Sequence, residues 1–146
     1  MSSKPSRPVS VYLLMILMLF QGLSGLAGGI GLVLDPSGKS MQIPLEWLQG
    51  SPFTTYLIPG IVLFAVLGLF PLVVFIGLLK RWRLAWYASL LIGIALMIWL
   101  TVEIMVIGYQ PQPPLQVIYG LVGIGILTTV LLPSVKKNYL FIYKNY

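Results

Sequence analysis

The stretch that decides the fold runs from Val9 to Leu34 and reads VSVYLLMILMLFQGLSGLAGGIGLVL. It contains no charged residue, and it is longer than the about 20 apolar residues that an α-helix needs to cross a bilayer. A basic segment precedes it, as in a secretory signal peptide, but the apolar region of a signal peptide is only about 7–15 residues long. We therefore predict that residues 9–34 form an uncleaved first transmembrane helix.

Three further apolar stretches follow, at about residues 52–79, 84–108 and 115–132. Of the 146 residues, 58% are hydrophobic and only 8% are charged, whereas a soluble domain carries about 25% charged residues. So few charges cannot cover a water-facing surface, and four spans leave no room for a separate soluble domain. The sequence predicts a single all-α transmembrane domain over residues 1–146, folded as an integral membrane four-helix bundle.

The positive charges lie almost entirely on one side of these spans. Lys39 is the single cation in a loop on the opposite side. Because positive residues favour the cytoplasmic side of a membrane, both termini are predicted to be cytoplasmic. A nucleic-acid interface would gather its basic residues into one patch, so no nucleic-acid partner is predicted. The cations on the predicted inner side are Lys4, Arg7, Lys80, Arg81, Arg83, Lys136, Lys137 and Lys144.

The first outer loop is predicted to contain a short helix that lies at the membrane interface. Residues 44–50 begin with Pro44 and end with Gly50, which matches the preference for proline at helix starts and glycine just past helix ends. Trp47 would anchor this helix, and the loop would fold back over the ends of the spans. The alternative is an irregular loop with one interfacial tryptophan. In the second span, Pro59 and Pro71 each remove a backbone hydrogen bond and predict a kink.

Small residues in the first and fourth spans predict close packing between helices. One stripe of the first span carries Gly22, Gly25 and Gly29. The outer half of the fourth span has little side-chain bulk because it contains Gly120 and Gly123. Small side chains let helix backbones approach each other closely in lipid. The alternative is that these positions only reflect the general abundance of glycine in membrane helices.

Four polar or aromatic residues are candidates for a ligand site. Glu103 is the one acidic residue within a span, and carboxylates in membranes are costly enough to suggest function. Trp99 lies one turn before it on the same helix face, and Lys39 is the one cation on that side. Gln21 is an amide near the middle of the first span. The structural alternatives are a Glu103–Lys39 ion pair, a packed tryptophan and a helix–helix hydrogen bond from Gln21.

No catalytic residues, metal site or cofactor are predicted. The chain has no cysteine and no histidine, which excludes disulfides, thiolate chemistry and the usual zinc sites. Glycines that lie within apolar spans do not form the strand-to-helix loop that cradles phosphate groups.

Two segments carry a resemblance to known proteins. Residues 51–60 (SPFTTYLIPG) and 115–120 (LQVIYG) resemble an uncharacterised family of small four-span bacterial inner-membrane proteins. The resemblance implies a bacterial plasma membrane location and no assigned activity. A looser likeness is to four-span sterol-isomerase-type bundles, in which membrane carboxylates surround an apolar ligand. Glu103 alone matches that site, because the second acidic group and the histidine are missing.

Three functions are consistent with the sequence. The leading hypothesis is a non-enzymatic membrane subunit or scaffold that packs against membrane lipids, a partner protein or a second copy of the chain. The first alternative is an amphipathic-ligand or lipid-binding protein, with or without isomerase-like activity, whose pocket surrounds Glu103. The second alternative is one subunit of an oligomeric transporter.

The charge distribution generates a testable topology. Reporter fusions at Met1 and Tyr146 should both report a cytoplasmic location, because eight of the nine cations lie on the side that carries the termini. A periplasmic signal from either fusion would show that the orientation is wrong.

Overall fold

The computed structural model describes residues 6–141, and within that range the regular structure is helical, without strands. The predicted all-α bundle is confirmed. The helices are α1 (Val9–Leu34), α2 (Leu57–Phe64), α3 (Phe70–Leu79), α4 (Arg83–Ile107), α5 (Leu115–Val130) and α6 (Pro133–Leu140), with a π-helical segment, Ala65–Leu69, between α2 and α3.

Helix α1 lies at the centre of the packing. It contacts the second span along α2, the π segment and α3, and it contacts α5 on another side. Helix α4 closes the bundle by packing against α5 and α3. The core between them consists mainly of aliphatic side chains, among them Leu14, Met18, Leu67, Ile92 and Ile126.

Within the described residues, three helical stretches are long and apolar enough to cross a membrane: 9–34, 57–79 and 83–107. The fourth span qualifies only as the pair α5 and α6, which is bent by 63°. Helix α5 ends at Val130, and Leu132 has an extended backbone with ψ 138°. Pro133 explains this bend, because a proline disfavours the α conformation of the residue before it and is well placed at the start of the next helix.

The second span begins at Leu57, five residues later than the sequence pattern suggests. Residues 51–56 instead belong to an irregular segment with its own hydrogen bonds. The Ser51 hydroxyl donates to the Leu48 carbonyl at 2.7 Å and accepts the Phe53 amide at 3.2 Å. The Tyr56 amide donates to the Pro36 carbonyl at 2.9 Å. These bonds to the preceding loop replace the first turns of the predicted helix.

Residues 35–56 fold back over the ends of α1 and α4, and we call this segment the cap. It contains two 3₁₀ turns, Lys39–Met41 and Leu45–Leu48, the second at the position of the predicted interfacial helix. Leu48, rather than Trp47, is the buried anchor, and it packs with Leu32 and Tyr56. The Tyr56 hydroxyl donates to the Pro44 carbonyl at 2.6 Å and closes the cap upon itself.

The glycine stripe of α1 lies directly against the backbone of the second span. A Cβ at Gly25 would overlap the Leu67 carbonyl, and one at Gly29 would lie 2.6 Å from the Phe64 Cα. A Cβ at Gly22 would meet the Leu72 side chain at 2.6 Å. Because the atoms opposite Gly25 and Gly29 are backbone atoms, they cannot rotate away as a side chain can. This interface therefore requires glycine at both positions.

The glycines of α5 have looser surroundings. A Cβ at Gly123 would meet the flexible end of Met97 at 2.7 Å, and one at Gly120 would lie 3.9 Å from Leu100, an ordinary contact. The close backbone approach in this bundle thus belongs to α1 and the second span, and α5 packs through side chains.

Gly25→Ala should destabilise the protein, whereas Gly120→Ala should not. The first change forces α1 and the second span apart, at a cost of about 1–3 kcal/mol for overpacking. The second adds a methyl group at an ordinary contact distance from Leu100 and should stabilise the helix by up to about 0.5–1 kcal/mol. Thermal unfolding of both variants in the same detergent measures the difference, and equal midpoints would contradict the close backbone contact.

Candidate functional site

Gln21 of α1 binds the backbone of the second span. Its side chain is 1% exposed, and its Nε2 donates to the Leu67 carbonyl at 3.0 Å. In a regular α-helix that carbonyl would accept the amide of residue 71, but Pro71 has no N–H. The π segment ends just before this proline, where a local widening of the helix accommodates the ring. Gln21 therefore donates to a carbonyl whose α-helical donor position is occupied by Pro71.

The second polar atom of Gln21, Oε1, is buried and has no hydrogen-bond partner within residues 6–141. The amide thus makes one bond, and that bond joins two helices. Its predicted part in a ligand site stays a prediction, since the structure pairs Gln21 with Leu67 and not with Glu103.

Glu103 lies one turn before the end of α4 and is half-buried. Gln116, the second residue of α5, donates from Nε2 to the Glu103 carboxylate at 3.3 Å and to the Gly108 carbonyl at 3.1 Å. The Gln116 Oε1 accepts the Gln110 amide at 2.9 Å. One buried glutamine therefore connects the carboxylate to the turn between α4 and α5. The Trp99 side chain, one turn earlier on α4, also lies near the carboxylate.

Sequence reasoning missed Gln116. The available signal was a second amide in an apolar segment, placed at the start of the span that follows Glu103. The predicted Glu103–Lys39 ion pair does not form among residues 6–141. Lys39 is exposed in the first 3₁₀ turn of the cap, which lies over α1, whereas the second turn covers α4. Lys39, the one cation of the cap, therefore belongs to the turn on α1, whereas the Glu103 carboxylate belongs to α4.

Two shallow grooves run along α4 and share the ridge formed by Ile98 and Val102. The first groove, of about 260 Å³, separates α4 from the second span. The second, of about 320 Å³, lies on the other side of the ridge, next to α5. The remaining lining residues are Val62, Val66, Leu67, Ala95 and Trp99 in the first groove, and Ile94, Met97, Thr101 and Leu127 in the second.

The first groove and the carboxylate meet at Trp99. Its indole lines the groove, and it interacts with Glu103 one turn further along α4. Of the four candidate ligand residues, the structure thus brings Trp99 and Glu103 together, and it places Gln21 and Lys39 elsewhere. A single carboxylate beside an indole and an amide can accept hydrogen bonds or hold a cation. Residues 6–141 contain no group of three metal-binding side chains.

Comparison with protein-family models, with curated proteins and with solved structures finds no match to this chain.

Proposed function

We propose that this chain is a non-enzymatic, multi-pass membrane subunit that packs against a transmembrane helix of a partner through α4. Its location would be the bacterial inner membrane, with both termini cytoplasmic. The observation that carries the proposal is the Ile98–Val102 ridge with a groove on each side. Helices pack by fitting the side-chain ridges of one into the grooves of the other, and this face offers both elements.

The shape of this face is its distinctive property, because exposed apolar side chains alone are normal on a helix that faces lipid. Lipid tails are as apolar as leucine, so association between helices in a membrane relies on close packing. In the apolar 18-residue stretch of α4, only 22% of the residues are buried, compared with 39% in that of α1 and 33% in that of the second span. Helix α4 therefore has the most surface left for a neighbour.

Thr101 supports helix packing at this face. It is exposed, and its hydroxyl donates to the Met97 carbonyl of its own helix at 2.8 Å. The hydroxyl is thereby satisfied without water, which lets a small side chain face lipid or a neighbouring helix at little cost. Small residues of this kind are enriched where membrane helices approach each other.

Replacement of Ile98 by photoreactive benzoylphenylalanine should yield a discrete protein adduct on irradiation of native membranes. The matched control is the same replacement at Leu121, which is 65% exposed on α5 and lines neither groove. We expect an adduct at Ile98 only, with a mass that distinguishes a second copy from another protein. Lipid adducts alone at Ile98, or equal protein adducts at both positions, would contradict the proposal.

A second candidate function is the binding of an amphipathic ligand, favoured by the position of Trp99 between groove and carboxylate. An apolar chain would lie in the first groove, and a head group with a hydrogen-bond donor or a positive charge would reach Glu103. An indole and a carboxylate together suit a cationic group, because the face of a tryptophan attracts cations.

Glu103→Gln should remove bound amphiphile while the fold stays intact. The glutamine oxygen can still accept the hydrogen bond from Gln116, so the free energy of unfolding should remain within about 0.5 kcal/mol of wild type. Native mass spectrometry of protein extracted in mild detergent would count retained lipid-like molecules. Lys39→Gln serves as the control for loss of a charge at the same end. An unchanged pattern of bound molecules in Glu103→Gln would exclude this function.

A further inference from the structure

The ionic side chains of the bundle are segregated between its two ends. Of the seven lysine and arginine residues between positions 6 and 141, only Lys39 lies at the end that carries the cap. The other six lie at the opposite end, which we call the basic end: Arg7, Lys80, Arg81, Arg83, Lys136 and Lys137. All three carboxylate side chains of the chain, Asp35, Glu46 and Glu103, belong to the cap or to the helix end beneath it.

Helix α6 lies across the basic end and is firmly attached there. Tyr139 is 1% exposed, and its hydroxyl donates to the Leu78 carbonyl at 2.9 Å. Val135 is fully buried on the same side of the helix, and the Ser134 hydroxyl shares a 2.6 Å hydrogen bond with that of Ser10. Lys137 is exposed. The helix therefore holds its apolar side against the bundle and a lysine on its outer side.

Arg7 adds a further positive charge at the basic end, and its own contacts are with uncharged groups. Its guanidinium donates to the Leu79 carbonyl and contacts the Met15 sulfur at 3.3 Å. Both partners are uncharged, so neither contact is an ion pair. The charges of Arg7 and Arg81 both act on the Tyr139 hydroxyl, which shows that two guanidinium groups lie near the buried end of α6.

The surroundings of these cations are apolar rather than polar. Leu79 and Leu84 are exposed beside the turn at residues 80–82, as is Trp82, whose ring lies 5.4 Å from the Lys80 Nζ. Tryptophan and lysine side chains share the zone where lipid head groups meet acyl chains. A surface of alternating cations and large apolar groups fits a phospholipid, with a phosphate next to an alkyl chain, better than it fits a nucleic acid.

We infer that the basic end binds the phosphate of an anionic phospholipid, with Lys136 and Lys137 of α6 as its principal contacts. Basic groups next to membrane helices attract anionic head groups, and each contributes about 1 kcal/mol near the surface. Bound lipid would stabilise the folded chain, because a ligand that binds only the native state raises the unfolding midpoint. The inference does not depend on the packing role of α4.

The test compares thermal unfolding of the full chain in phosphatidylcholine nanodiscs with and without phosphatidylglycerol. Phosphatidylglycerol should raise the unfolding midpoint, and added salt should reduce the gain, since exposed charges are screened. Lys136→Gln with Lys137→Gln should abolish most of the gain. In titrations by native mass spectrometry, the affinity for phosphatidylglycerol should fall about fivefold for each lysine removed, the factor that corresponds to about 1 kcal/mol.

Three controls separate this site from general effects. Lys136→Arg with Lys137→Arg should keep the gain, and Lys39→Gln, which removes a cation at the other end, should keep it as well. Inorganic phosphate added to phosphatidylcholine nanodiscs should not reproduce the gain, and if it does, the site recognises a free anion instead. Equal midpoints in the two lipids, or an equal loss in Lys39→Gln, would overturn the inference.

Discussion

The hydrogen bond from Gln21 to the Leu67 carbonyl is the interaction on which the arrangement of α1 and the second span depends. A carbonyl without a donor is costly in lipid, because no water is present to replace the lost bond. Pro71 removes the α-helical donor of the Leu67 carbonyl in the middle of the second span, and Gln21 donates to that carbonyl from the neighbouring helix. That bond requires the two backbones to lie close together, which is why Gly25 and Gly29 face the second span.

The need to supply donors to backbone carbonyls also applies at the basic end, where helices end and their last carbonyls have no donor within the helix. The Trp86 indole donates to the Val130 carbonyl at 2.8 Å, where α5 ends. The Tyr139 hydroxyl adds a hydrogen bond to the Leu78 carbonyl near the end of α3, which also accepts the Arg81 amide at 3.2 Å. These bonds draw the helices together at the basic end. Toward the cap, α4 is separated from the second span by the groove that Trp99 lines.

Hydropathy and length indicated where the long apolar helices lie, because lipid leaves few alternatives to a continuous helix, but they did not predict α6 or its 63° bend from α5. Helix α1 has the predicted bounds, and α4 begins and ends within one residue of them. The start of the second span could not be predicted, because it depends on bonds from Ser51 and Tyr56 to the preceding loop. Such contacts arise only when the cap has folded.

The candidate site was predictable in part. The costs of a carboxylate and of an amide in lipid singled out Glu103 and Gln21 as residues that need partners, and both have them. Which residues serve as these partners could not be read from the sequence, because that depends on the depths at which neighbouring helices lie in the membrane. Gln116 reaches Glu103 only because the turn between α4 and α5 is tight, and Leu67 faces Gln21 only because Pro71 and the π segment free its carbonyl.

A double-mutant cycle with Gln21→Leu and Pro71→Ala tests the central claim most directly. Alanine at position 71 supplies a backbone N–H that can pair with the Leu67 carbonyl, so that carbonyl no longer needs the Gln21 side chain as its donor. Gln21→Leu should lower the free energy of unfolding by about 1 kcal/mol more in the wild-type background than in the Pro71→Ala background, which is the usual size of such a hydrogen bond in a membrane. The same change in unfolding free energy in both backgrounds would contradict the claim.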